Sequence, residues 1–198
     1  MTVREGEAWG SPGALAPDGV AAASDSEASA VLEAARREGR PFPPLGLTGG
    51  DLCRTLGGRG GLSTVVRCDL GEVLVDGRLR LFVAHVVVRR RTLWRGSAAA
   101  VMNAQYVGQW DVAPRSHPGD GKLDVVEVAA SMSIGDRWKA RRRLPSGTHV
   151  PHPAITERRI AAIQLDVAGH RVLVDGRPIG DAKALSIRVE PDAITVVV

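Results

Sequence analysis

Glu72-Val73-Leu74-Val75-Asp76-Gly77-Arg78-Leu79-Arg80-Leu81-Phe82-Val83 places two apolar runs on either side of an Asp-Gly pair. Asp-Gly suits the two consecutive left-handed positions of a tight hairpin turn, so the passage predicts antiparallel strands over residues 72–75 and 79–88. The same reading extends outward in both directions. Strands are expected over 65–70, 97–103, 109–113, 123–130, 160–167, 170–174, 184–190 and 193–198. Turn residues punctuate them at Gly119-Asp120-Gly121, Ala168-Gly169, Asp175-Gly176 and Pro191-Asp192. Many short strands with regular turns predict a sandwich or barrel-like β domain.

Upstream the character differs. Residues 1–19 are rich in Gly, Pro and Ala and read as loop with at most one short strand. Residues 24–38 carry Val31, Leu32, Ala34 and Ala35 among charges, with Ser24 as N-cap and Gly39 just past the end, which predicts a helix. Leu45-Gly46-Leu47-Thr48-Gly49-Gly50-Asp51 reads as a buried strand running into a glycine-rich turn. A second short helix follows through Arg54 and Leu56, and a turn of this kind presents backbone N–H groups. The expected fold class is therefore α+β: a reduced α/β portion over residues 1–62, packed on a β-sandwich over 63–198.

With 198 residues, 44% hydrophobic and 24% charged, the composition is that of a folded globular chain. No apolar run approaches the length of a membrane helix, and the first residues lack the pattern of a secretory signal, so a cytoplasmic location is expected. Cys53 and Cys68 are then expected as reduced thiols. The net charge of +4 understates local clustering at Arg89-Arg90-Arg91, Arg141-Arg142-Arg143 and Arg158-Arg159. Such clusters suit either a solvated surface or anionic groups, including the headgroups of a membrane contacted peripherally. Aromatic residues make up only 4% and do not interleave with the basic runs, so no nucleic-acid partner is expected.

Several spaced motifs then combine. Met102-Asn103-Ala104-Gln105-Tyr106-Val107-Gly108-Gln109-Trp110-Asp111-Val112-Ala113-Pro114 is followed by Gly119-Asp120-Gly121-Lys122-Leu123-Asp124-Val125, and later by Val172-Leu173-Val174-Asp175-Gly176 and the closing strands. In this order they resemble the β-rich domain of the diacylglycerol kinase and sphingosine kinase family, the bacterial lipid kinases. Upstream, residues 45–57 are similar to the family's Gly-Thr-x-Asn-Asp-Phe-Ala-Arg segment, with Gly50 where the Asn usually stands.

The resemblance implies phosphoryl transfer from ATP, with Mg²⁺, to a lipid or other hydroxyl. It implies Thr48, Gly49, Gly50, Asp51 and Arg54 as phosphate-binding, together with Asp25, the one residue retained from a Gly-Gly-Asp-Gly-Thr motif that here reads Ala23-Ser24-Asp25-Ser26-Glu27. It also implies Asp69 near the catalytic centre and Asp120 as a metal ligand, although His117 stands where a neighbouring Ser of that metal site would be. Departures weaken catalysis. Serines replace glycines that let backbone approach phosphate. Arg177 stands where the family's Asp-Gly-Glu has its base, and a guanidinium accepts no proton. Two further strand–helix units of the family's ATP domain have no counterpart before Ala23.

Plainer readings stand beside these. Asp175-Gly176 and Gly119-Asp120-Gly121 have the composition of tight turns. His149 and His152 have metal-ligand spacing, but Pro151 and Pro153 interrupt any helix and no third ligand is evident, so a structural role is expected rather than zinc. Residues 57–61 lack the Lys-Ser/Thr of a phosphate loop and read as a connector. Three functional hypotheses follow: an active lipid kinase, a non-catalytic relative that binds lipid, nucleotide or protein, and a homo-oligomer in which another chain supplies what is absent.

Overall fold

The structure, a computed structural model, describes residues 9–59, 61–91 and 95–198. The expectations for residues 1–8 and for Gly60 of the connector lie outside them.

In chain order the elements are β1 (Gly10–Pro12), β2 (Val20–Ala22), α1 (Asp25–Arg37), β3 (Leu45–Leu47), α2 (Asp51–Thr55), β4 (Thr64–Val75), β5 (Arg78–Phe82), β6 (His85–Arg89) and β7 (Ala98–Met102). They continue with β8 (Tyr106–Val107), β9 (Trp110–Asp111), β10 (Leu123–Val128), α3 (Ile134–Arg143), β11 (Ile155–Ile160), β12 (Ala162–Asp166), β13 (Arg171–Val174), β14 (Arg177–Asp181) and β15 (Ala184–Val197). The architecture is α+β, as expected.

One sheet runs β1-β4-β15-β3-β2, with β5 and β12 joining at β4 and β15. Its β15–β3 and β3–β2 pairs are parallel, so the α/β portion and the sandwich share a continuous sheet. The second sheet, β11-β10-β7-β6-β13-β14, is antiparallel throughout.

Three buried clusters follow. Val73, Phe82, Val86, Val101, Val125 and Ile187 fill the space between the sheets. Ala28, Leu32, Leu45, Leu52 and Val196 join the helices α1 and α2 to the first sheet. Ala100, Met102, Val126, Met132 and Ile155 cover the outer face of the second sheet. Because β7 is buried on both faces, its run Ala98-Ala99-Ala100-Val101-Met102 shows no polar alternation.

Helix α1 begins where Ser24 Oγ accepts the Glu27 N–H at 3.3 Å, and Glu27 reaches back to the Ala23 N–H at 2.8 Å. Its apolar face is Ala28, Leu32 and Ala35, at helical spacing. The Arg36 guanidinium, on the same helix, bonds Glu72 at 3.0 Å and Glu190 at 2.6 Å, tying α1 to β4 and β15.

The structure corrects several expected strand boundaries. Residues 65–70 and 72–75 form a single strand, β4, since Gly71 lies under the Phe82 ring and needs no break. Residues 79–88 form two strands, which part at Val83 and Ala84. Residues 160–167 also divide: β11 pairs with β10 in one sheet, and β12 pairs with β15 in the other. Pro191-Asp192 is a bulge inside the long strand β15, not a turn, with Asp192 at φ 52°. Helix α3 forms over a stretch whose sequence shows only a basic cluster.

Candidate functional site

The Thr48–Asp51 turn, expected to offer N–H groups to phosphate, is filled from within. The Asp25 carboxylate at the start of α1 accepts the Asp51 N–H at 2.6 Å and the Leu52 N–H at 3.0 Å. Gly50 passes against this carboxylate at φ 97°, ψ 172°, a region open essentially to glycine alone. A Cβ there would fall 2.6 Å from Asp25 Oδ1, and one at Gly49 would fall 2.6 Å from the Ala23 carbonyl oxygen. Thr48 turns its hydroxyl to the Ala22 carbonyl, at 3.4 Å. Arg54 donates to the Gly108 carbonyl at 2.7 Å and lies 3.8 Å from the Tyr106 ring centre.

From this turn a polar chain runs into the sandwich. Asp51 accepts the Gly108 N–H at 3.0 Å and meets His85 Nε2 at 2.9 Å. The backbone of His85, Ala84 and Val83 in turn donates three N–H bonds, at 3.0, 3.0 and 2.9 Å, to Asp175. Asp175 heads a tight turn with φ 47°, followed by Gly176 at φ 77°, so the turn reading is right and the buried carboxylate does more. Burial pushes the Asp175 carboxyl up to about 6 against the pull of His85. Burial also raises Asp25, opposed by its two N–H bonds. For His85, burial works to lower the pKa, but the Asp51 bond and the surrounding carboxylates override it and raise it.

Asp25, Gly50, Asp51 and Arg54 are thus brought together. Asp69 is engaged elsewhere. Fully buried on β4, it accepts the Gly121 N–H at 2.7 Å and the Asp192 N–H at 2.8 Å, which fixes the β15 bulge and the turn before β10. Asn103 links the two regions by donating to the carbonyls of Asp69, at 3.0 Å, and Val83, at 2.8 Å.

Asp120 accepts the Lys122 N–H at 3.0 Å and pairs with Arg159. A carboxylate held by a guanidinium is a poor ligand for a divalent ion. Among the described residues, no group of three or more His, Cys, Asp and Glu side chains is placed to hold a metal. Asp120 is thus engaged by Arg159, and the Asp51 and Leu52 N–H groups of the turn are already taken by Asp25.

A second feature escaped sequence reasoning. Helix α3, capped by Ser133 accepting the Asp136 N–H at 3.1 Å, covers the outer face of the second sheet. Between them lies an apolar cavity of about 170 Å³, walled by residues including Ala100, Val126, Met132 and Trp110, with His149 in its lining. The Ser133-x-x-Asp136 pattern was the available signal for this helix. On its outer side Ile134 is 51% and Trp138 50% exposed.

A two-sheet sandwich whose closing strand also carries a parallel strand–helix portion defines the class. Residues 72–198 match the family model described as the YegS C-terminal NAD kinase beta sandwich-like domain, and the chain belongs to that family. A crystal structure named as a diacylglycerol kinase from Bacillus anthracis str. Sterne superposes with a TM-score of 0.61 at 15% identity, covering 79% of this chain and 69% of that one. Another structure of that name from the same organism gives 0.60 at 14%, covering 79% and 70%. At such identities the likeness is one of fold. No curated protein matches the chain. Among the described residues no helix is long and apolar enough to cross a membrane.

Proposed function

We propose that this chain is a lipid-binding member of its family that does not transfer phosphate from ATP. The observation that carries the reading is the Asp25 carboxylate seated on the Asp51 and Leu52 N–H groups. A phosphate brought to that turn has to displace a buried, hydrogen-bonded carboxylate and then meet the charge of Asp51 beside it. Like charges at close range in a partly buried site oppose binding. Phosphoryl transfer depends on positioned phosphates and neutralised charge, and both terms run the wrong way here. Arg177, at the position of the family's base, adds no proton acceptor.

The cavity under α3 supports the binding half of the proposal, since an apolar chamber beside a cationic helix suits an acyl chain. Ile134 and Trp138, exposed next to Lys139, Arg142 and Arg143, suit an anionic bilayer surface from which such a chain is taken up.

The test incubates the protein with γ-labelled ATP, Mg²⁺ and vesicles of phosphatidylcholine, phosphatidylglycerol and diacylglycerol, followed by sedimentation. Protein that sediments with the vesicles, with no label in the lipid, is the expected result. Labelled lipid above the protein-free blank overturns the proposal.

A further inference from the structure

The cavity lining includes a buried imidazole that the fold leaves poorly satisfied. His149 is 4% exposed, and neither Nδ1 nor Nε2 finds a hydrogen-bond partner among the described residues. A neutral imidazole carries one donor and one acceptor, and burying both unmade forfeits its hydration without return. A ligand group in the cavity restores that loss.

The surroundings narrow the ligand. The described lining residues include Arg89, Arg137 and Arg141 and no carboxylate. Arg137 is fixed by donating to the carbonyls of Met132, Gly96 and Ala129, and Arg141 lies 5.2 Å from the Trp110 ring centre. The guanidinium charges are therefore held at the cavity wall and favour an anion. Its volume of about 170 Å³ is close to the ~150 Å³ of a cavity that admits benzene, and below the roughly 300–1,000 Å³ of pockets that enclose drug-sized ligands. The cavity is open on one side, so it seats the head end of one chain while the rest of that chain leaves through the opening, and two chains side by side do not fit.

We propose that the cavity takes a single-chain amphiphile with an acidic head, a long-chain carboxylate, and that His149 anchors the head. The inference rests on the lipid-binding reading above and narrows it to a ligand class. Burial holds the His149 imidazole below its ordinary pKa, with Glu157 on β11, Asp111 on β9 and the Val112 backbone pulling the other way. Arg89 on β6 and Arg137 and Arg141 on α3 are the remaining charges lining the cavity around it. A carboxylate arriving beside the ring favours its protonated form, so binding takes up a proton and tightens as pH falls.

Isothermal titration of the whole chain with dodecanoate, dodecanol and dioctanoylglycerol, each below its micellar concentration, tests this. It is run at about pH 6.5 and about pH 8, in two buffers of different ionisation enthalpy. Dodecanoate is expected to bind about tenfold or more tighter than dodecanol, with proton uptake and the stronger binding at the lower pH. His149→Ala should abolish the preference, and His149→Gln, which keeps a donor and an acceptor, should retain part of it. If dodecanol or dioctanoylglycerol binds the unaltered chain as tightly as dodecanoate, the acidic-head inference fails while the lipid reading stands. No heat with any of the three overturns the lipid reading itself. A preference that survives in His149→Ala removes His149 as the anchor, and if that variant does not fold, an undiminished preference in His149→Gln with no proton uptake does the same.

Discussion

Asp175 shows how one residue can be half legible. Asp-Gly announces a turn, and the turn is there, but the carboxylate's partners are the N–H groups of Val83, Ala84 and His85, some ninety positions earlier in the chain. Spacing in the sequence carries no trace of such a clamp. Its titration is measurable. With the carboxyl pushed from 3.8 up to about 6, the folded state keeps a proton between those values that the unfolded chain has released. The group's contribution to stability is therefore complete below about pH 4 and is lost as pH rises through about 6, by about 3 kcal/mol. Urea unfolding of wild type and Asp175→Asn across that range should show wild type losing ground to the variant by roughly this amount. Gly50 makes a second case. The family's Asn cannot be restored there, because the φ 97°, ψ 172° backbone and the Asp25 carboxylate both exclude a side chain. Gly50→Asn is expected to destabilise by about 2 kcal/mol or more, read from the urea midpoint.

Among the elements, α1 and the Asp76-Gly77 hairpin could be read directly, since each obeys a local rule: an N-cap with an apolar face, and a two-residue turn. Helix α3 could not be read so simply. Its stretch Ile134-Gly135-Asp136-Arg137-Trp138-Lys139-Ala140-Arg141-Arg142-Arg143 has little apolar periodicity, because the helix buries the long stem of Arg137 where an aliphatic residue is usual. Removing its cap in Ser133→Ala should cost about 1 kcal/mol and loosen the lid of the cavity, lowering dodecanoate affinity without touching the lining. Pro191-Asp192 has the composition of a turn yet forms the bulge of β15, because Asp69, from β4, holds it in the sheet. Asp69→Ala leaves the Gly121 and Asp192 N–H groups without their acceptor and is expected to lower stability by about 2–3 kcal/mol in urea unfolding. Any loss of ligand binding in that variant has to be judged against its loss of fold.

For the molecule as a whole, the α+β class and the family followed from turn spacing and from motifs in order, because both are written along the chain. The sheet shared by β3 and β15, the Asp25 carboxylate in the turn and the cavity under α3 depend on contacts between distant segments, which no local pattern records. Together they leave a sandwich of this family whose Thr48–Asp51 turn is closed by its own Asp25 carboxylate and which has an apolar cavity under α3. The most direct test is isothermal titration of the whole chain with Mg·ATP at low salt, where repulsion between charges is least screened and binding through cations is strongest. No saturable heat is expected up to millimolar nucleotide. Saturable binding at millimolar concentration or tighter would contradict it.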